Sequence, residues 1–452
     1  MDKLQCLTSG LAEFVSSLTF EDLPAAVIEK CKLCMFHSLA CSFASRHFPW
    51  SQTAIDYLRD LNIDGNATLF VEGLKAPSPD IAFVNAVMAH GNLHEDTDMG
   101  SGSHTGAMVI PAALAVGEET NCTGKDLFTA IVLGYELTGR VGASVVSIEF
   151  AKTFRPTSFF GAYGVCASAA KLLGLDHDQT VNALGMAGSL STGLNQWAMD
   201  GTDDVFFHAG FTASDGIKAA MLGKRGINAA KRVLEGRAGL WAAYGEQEAA
   251  RNILEGFGDP YAIMRVYFKP IPADACTASP NKLALRMAEN NTINPEEIRN
   301  IEVEVFQLAK DYPGIDYPGP FTSMTRAKMS AQYGVAAVLV HRRLDQSIYD
   351  EFKNPLVERL SANTKIEADE AFSKNFPRQG CRINITMQDG TVISDQQDDV
   401  LQFTDDEVVD NFKHEAGRMF GDKQAEALAD SIRNLESVRQ VRELSRLYVK
   451  KS

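Results

Sequence analysis

Apolar residues recur at three- and four-residue spacing through roughly the first 265 residues, the repeat of helices that bury one face or their whole circumference. "LPAAVIEKCKLCMFHSLACSFAS" has Pro24 near a helix start, where a missing N–H costs nothing. "DIAFVNAVMAHGNL", "TGAMVIPAALAVGEE", "TGKDLFTAIVLGYELTGRVGASV", "GAYGVCASAAKLLGLD" and "TVNALGMAGSLSTGL" continue the pattern, several rich enough in Ala and Gly to pack closely. After about residue 268 the period changes. "EEIRNIEVEVFQ" alternates Ile301, Val303 and Val305 with polar residues, and "CRINITMQDGTVISD" alternates around an Asp389-Gly390 turn, so both predict strands of a half-exposed sheet. "TRAKMSAQYGVAAVLVHRR" and "SIYDEFKNPLVERLSA" between them read as helices. The tail returns to helix with a capping box from Thr404 to Glu407. The pattern predicts a mainly α protein: an all-helical domain from residues 1–268 plus 399–452, and an α+β lid from 269–398.

A chain of 452 residues is too long for one ordinary core, which fits two domains. Its 43 basic and 58 acidic residues give a net charge of −15, which weighs against a nucleic-acid or anionic-membrane partner. No apolar run reaches the roughly 18 residues of a membrane span, and "MDKLQCLTSGLAEF" is amphipathic rather than a secretory leader. The expectation is a cytoplasmic protein, with an organelle such as the mitochondrion left open. Eight cysteines in such a chain read as reduced thiols. Cys31, Cys34 and Cys41 lack a second pair at zinc spacing, and read as the buried side of one helix.

Chemistry concentrates near helix boundaries. "HGNLHEDTDMGSGSHTG", residues 90–106, places three histidines and three carboxylates in seventeen residues. It matches neither His-Glu-x-x-His nor a calcium loop, so the metal reading is disfavoured. His104-Thr105-Gly106 stands at a helix entrance, where unpaired amides attract a carboxylate. Similar entrances are expected after Pro156 and after Gly210, and His208 is placed at a turn by the same glycine. "FRPTSFFGAYG" brings Arg155, "FKPIPADACTASPNK" Lys269, and "TSMTRAKMSAQY" Arg326 and Lys328. Basic residues beside helix starts make a pocket for a substrate with several carboxylates, and a histidine near a carbon next to a carboxylate is a fitting acid or base. Dinucleotide, P-loop and nucleophile-elbow signatures are missing from the sequence. His37 and His94 read as structural.

Over nearly its whole length the chain resembles the MmgE/PrpD family, which includes 2-methylcitrate dehydratases, cis-aconitate decarboxylases and iminodisuccinate epimerases. The resemblance rests on "AHGNLHEDTDMGSGSHTGAMVIPAALA", "FRPTSFFGAYGVCASAAKLLGLD", "FFHAGFTASDGIKAAMLGKRGI", "FKPIPADACTAS" and the "VRELSRL" end. It implies a helical domain with an α+β lid, a homodimer, and no metal or organic cofactor. His90, Asp96, Thr97, His104, His208, Lys269, Pro270 and Thr277 match the family pattern. Leu93, Arg155, Val205, Ala275 and Ala278 stand where an Asp, His, Lys, Arg and His are usual, which implies a related pocket with a different substrate. The implied function is a lyase, dehydratase or decarboxylase, of a small di- or tricarboxylic acid; the alternatives are an epimerase of an iminodisuccinate-like acid and a non-catalytic binding relative. By that resemblance His104 is the base or acid, His208 its partner, and Asp96 an orienting group. Arg155 and Lys269 would anchor carboxylates, with Thr97, the amides near Thr105, Thr277 and His90 completing the binding set.

Overall fold

The computed structural model describes residues 7–244 and 253–450; Met1–Cys6 of the amphipathic N-terminal stretch lie outside the described residues. The protein is mainly α-helical, with a smaller α+β part. The helices of the first part are α1 (Leu7–Ser17), α2 (Ala25–Ser45), α3 (Pro49–Leu61), α4 (Ser78–His90), α5 (Gly106–Thr120), α6 (Gly124–Ala143), α7 (Ile148–Thr153), α8 (Pro156–Leu173), α9 (His177–Leu190), α10 (Gln196–Asp200) and α11 (Asp204–Lys224). Their ends carry the expected chemistry. Capping boxes start α6 (Thr123, Asp126) and α9 (Asp176, Gln179), and Pro156 occupies the first turn of α8.

Helices α4, α5, α6, α8 and α11 form the centre, with α8 packed between α6 and α11 and α4 against α5 and α11. Most of their residues are buried on every side, as a run apolar all round requires. Small residues set the spacing. A Cβ on Gly164 of α8 would collide with Thr138 Oγ1 and the Gly134 carbonyl of α6. Gly210 corrects one expectation: it lies inside α11, not at a helix entrance, and a Cβ there would meet the Phe83 carbonyl of α4 at 2.8 Å. The glycine serves helix contact, so His208 sits mid-helix and no third entrance exists there. The expected run of helices is also interrupted, since residues 225–239 carry turns without a regular helix.

Two short strands, β1 (Ala67–Thr68) and β2 (Lys75–Ala76), pair antiparallel before α4. The main sheet has the order β4-β3-β5-β6, with β3 (Ile298–Val305), β4 (Thr364–Ala368), β5 (Cys381–Met387) and β6 (Val392–Gln397). β3 and β5 are antiparallel with Val303 opposite Ile383, and β5 and β6 form the expected hairpin, whose Gly390 has φ +89°. β4 runs parallel to β3 at the edge. The inward residues Ile301, Val303, Ile383 and Ile385 are fully buried, and the helix Ala278–Asn290 packs against β5 and β6. The predicted helices of this region are broken by caps at Ser330 and Asn354.

The helices Asp405–Phe420 and Asp422–Arg433 follow, the first opening with the expected Thr404–Glu407 box. They pack on α2, where Phe412 meets Phe36 at 4.9 Å between ring centroids. Cys31, Cys34 and Cys41 are free buried thiols on α2. No described helix is long and apolar enough to cross a membrane.

Candidate active site

The loop from Gly91 to Thr105 joins α4 to α5 and is fixed at both ends of its middle section. Thr97 exchanges two backbone hydrogen bonds with Tyr267 (3.0 and 2.9 Å), which brings the loop against the strand-like approach to Lys269. Asp98 and Ser103 exchange two more, and Arg265 holds the Asp98 carboxylate at 2.9 Å. Leu93 turns the chain out of α4 in the left-handed region, φ +56°, with its side chain buried. An Asp enters that conformation more readily than a Leu, so the departure at this position is also a backbone cost.

Glu95 is the hub of the loop. Its Oε1 lies 3.2 Å from Lys269 Nζ, 3.2 Å from His90 Nδ1 and 3.5 Å from His104 Nδ1, with all four side chains buried. Burial pushes a carboxylic acid's pKa up, but Lys269, His90 and His104 together hold Glu95 well below the usual range, so it is a carboxylate. The Lys269 ammonium fills the position where a cation would neutralise that carboxylate. Burial, then Lys269, Arg155 and His90, hold His104 well below the ordinary histidine value despite Glu95, so its ring is neutral.

The tautomers follow from the partners. Arg155 Nη2 approaches His90 Nε2 at 3.4 Å and only donates, so His90 carries its proton on Nδ1, facing Glu95. His104 Nδ1 lies 2.9 Å from Thr97 Oγ1 and beside the Glu95 carboxylate, which favours N–H there. Its Nε2 is left as a lone-pair acceptor without a protein partner among the described residues, facing the cavity that His104 lines.

That cavity, open to solvent on one side, offers about 270 Å³ between the helical part and the α+β part. Of the residues expected from the sequence, Thr97, His104 and Arg155 line it. Arg155 is buried, donates to Tyr312 Oη at 3.1 Å, lies over the Trp197 ring, and keeps its Nε–H without a partner. His90 and Lys269 stand behind this wall, joined to it through Glu95. Thr277 also acts from behind, donating at 2.9 Å to the Asp274 carbonyl, while Asp274 itself faces the cavity. Ala275 is in the wall; Val205 and Ala278 are buried.

Three expectations change. Asp96 touches neither histidine: its oxygens accept from Tyr135 Oη and, at 2.9 Å, from the Gly106 amide at the start of α5. Burial raises its pKa to about 6. This carboxylate therefore takes the anion position at the α5 N-terminus that the sequence reading gave to substrate, and Thr105 contributes only its backbone there. His208 is absent from the cavity wall, and its Nε2 faces Asp204 at 3.9 Å. Burial and then Arg155 lower it to about 4. Glu95 and Thr97, rather than His208 or Asp96, orient His104. His94 and His37 are structural as expected, His94 Nε2 bonding the Lys269 carbonyl at 2.9 Å and His37 the His94 carbonyl at 2.7 Å. The sequence reading missed Glu95 as hub, and Tyr312 and Asp274 as wall.

Two family models cover the chain, the MmgE/PrpD N-terminal domain over residues 9–252 and the MmgE/PrpD C-terminal domain over residues 272–437. The chain belongs to the MmgE/PrpD family. This MmgE/PrpD chain is 25% identical over 458 residues to the cis-aconitate decarboxylase of Homo sapiens, covering 96% of this chain and 93% of that one. It is 24% identical to the cis-aconitate decarboxylase-like protein oryM of Aspergillus oryzae, over 97% and 96% of the two chains. Against the cis-aconitate decarboxylase of Aspergillus terreus it is 23% identical, over 98% and 95%. The relatives are thus named as carboxy-lyases, and they match from end to end.

Proposed function

We propose that this protein is a lyase for a small carboxylic acid, with His104 handling a proton on the carbon next to a carboxylate. One observation carries the reading: a neutral histidine, tethered at Nδ1 by Thr97 and Glu95, lines a cavity beside the Arg155 guanidinium, with Nε2 free of protein partners among the described residues. A carboxylate on Arg155 and Tyr312 would draw charge from its neighbouring carbon and acidify the C–H bond. His104 Nε2 takes that proton, and Glu95 stabilises the imidazolium that forms. Expulsion of a hydroxyl from the next carbon completes a dehydration. Decarboxylation, supported by the names of the relatives, uses the same parts once His104 has taken a proton from solvent: the C–C bond breaks, carbon dioxide leaves, and the imidazolium gives that proton to the carbon.

Incubation with a panel of carboxylic acids in deuterated water, followed by NMR, tests this. Deuterium should enter next to a carboxylate together with a new product, and His104→Gln should slow both by roughly a hundredfold or more. A folded His104→Gln protein with unchanged turnover removes His104 from the chemistry. Exchange with inverted configuration and no new product would instead identify an epimerase.

A further inference from the structure

The cavity wall is lopsided. Arg155 is the one cation among its lining residues; Lys269 stands behind it, engaged by Glu95 and by the Ala273 carbonyl. The wall also bears a carboxylate. Asp274 Oδ1 caps a short turn by accepting from the Cys276 amide at 2.8 Å, the Cys276 thiol lies within hydrogen-bonding reach of the same carboxyl group, and Asp274 lines the cavity. Most of the remaining surface is apolar, from Met99, Val146, Ile148, Leu308 and Phe376. At about 30 Å³ per water, 270 Å³ holds the equivalent of about nine waters, enough for a small organic acid.

Charge decides which acid. A tricarboxylate would bring three negative charges to a wall offering one guanidinium and one acidic side chain. Two of them would lack a cation, and buried charge is retained only when paired. An acid with a single carboxylate balances Arg155. Asp274, the one acidic side chain in the wall, is then placed to hydrogen-bond a hydroxyl on the ligand, as donor when its carboxyl group is protonated.

We propose that the substrate is a monocarboxylic acid with an apolar chain and a β-hydroxyl, its carboxylate on Arg155, its hydroxyl on Asp274 and its chain against Met99, Val146, Ile148, Leu308 and Phe376. The inference rests on the reading of this cavity as the active site. In the reaction, His104 Nε2 takes the proton from the carbon next to the carboxylate. The C–H pair becomes the new C=C bond and the C–O bond breaks as Asp274 gives its proton to the leaving oxygen. Water and an unsaturated acid result, with one proton gained by His104 and one lost by Asp274; solvent restores both and no oxidant is needed. Burial raises the pKa of Asp274 above its ordinary value, against the Cys276 amide, Lys269 and Arg155, which favours the protonated form the step requires.

Ligand-observed NMR with the full chain separates the parts, using β-hydroxyhexanoate, hexanoate and citrate. The hydroxy acid should bind roughly tenfold or more tighter than citrate, and Asp274→Ala should cost it about tenfold while leaving hexanoate unchanged. Asp274→Asn keeps a hydrogen-bonding group without an acidic proton, so it should bind the hydroxy acid nearly as well yet lose roughly a hundredfold in dehydration. Citrate binding as tightly as the hydroxy acid, equal losses for hydroxy acid and hexanoate in Asp274→Ala, or full turnover in Asp274→Asn would each overturn the proposal. His104-dependent exchange on citrate would refute the single-carboxylate substrate while upholding the proton-transfer site. Tight, Asp274-dependent binding with no exchange in the wild type would uphold the ligand's shape, refute Asp274 as the acid and remove the lyase reading.

Discussion

Glu95 does two things that separate it from an ordinary buried ion pair. It neutralises Lys269, and it raises the basicity of His104 across 3.5 Å. Glu95→Gln keeps the shape and removes the charge, so His104 should become a weaker base. Turnover should fall by roughly tenfold or more, and the acid limb of the pH profile should move to lower pH as the imidazole loses its anionic neighbour. Kinetics over a pH series checks this; a variant whose rate falls with no movement of the limb would show that Glu95 only supports the fold. The segment from His90 to His104, with Glu95 between them, was legible in the sequence because its polar residues are dense between two apolar helices. The remaining wall was not. Arg155 and Tyr312 meet across 157 residues of chain, and no local pattern marks Tyr312 as polar machinery rather than core. Asp274 lay within a segment already singled out for Lys269, and only its place in the cavity wall distinguishes it from a capping residue.

At the scale of elements, the bundle depends on where α6 and α8 touch. Gly164 has a tyrosine before it and a valine after it, yet its own side must stay empty against Thr138 and Gly134. Gly164→Val should therefore force the two helices apart and destabilise the protein by roughly 1–3 kcal/mol, the usual cost of overpacking. Denaturant unfolding of the variant checks it, and an unchanged midpoint would mean that α8 has room to shift. The same close contact explains one misreading. A glycine two residues after His208 is compatible with a turn or with a helix crossing, and only the position of Phe83 on α4 shows that it is the second. Helix caps and the β5–β6 hairpin were legible because their signals are local: Thr404 with Glu407, and Asp389 with Gly390. β4 was not, since five residues reading TKIEA carry too short an alternation, and their strand conformation comes from pairing with β3.

The whole molecule closes around neutral histidines, and this sets its response to acid. His37, His90, His94, His104, His208 and the less buried His341 all have pKa values held below the ordinary 6.5, burial being the largest cause in each, with His37 and His208 at about 4. In the unfolded chain they take up protons as the pH drops through about 6.5. Between that pH and their folded values the unfolded state binds more protons, so stability falls as pH falls, by up to about 1.4 kcal/mol per pH unit for each group and by less for the more exposed His341. Asp80, Asp96, Asp274 and Glu118 act in the opposite direction, because burial raises their values and the folded state then holds protons that the unfolded state releases. Six groups oppose four, and of the four only Asp96 has a value, about 6, that places its uptake near the top of the window. Glu95 adds nothing until lower pH, since its contribution is present above the ordinary carboxylate value and lost only as the pH falls through its depressed one. Two of the histidines also stand where the two parts meet: His94 bonds the Lys269 carbonyl, and His104 lines the cavity at the junction. Protonating them on opening should therefore favour separation of the helical and α+β parts along with unfolding. The expected result is a melting temperature that falls steadily from pH 6.5 to about pH 5, with scanning calorimetry showing the decline and a bound carboxylic acid lessening it by mass action. A melting temperature that is level or rises over that interval would mean that the raised carboxylates outweigh the histidines.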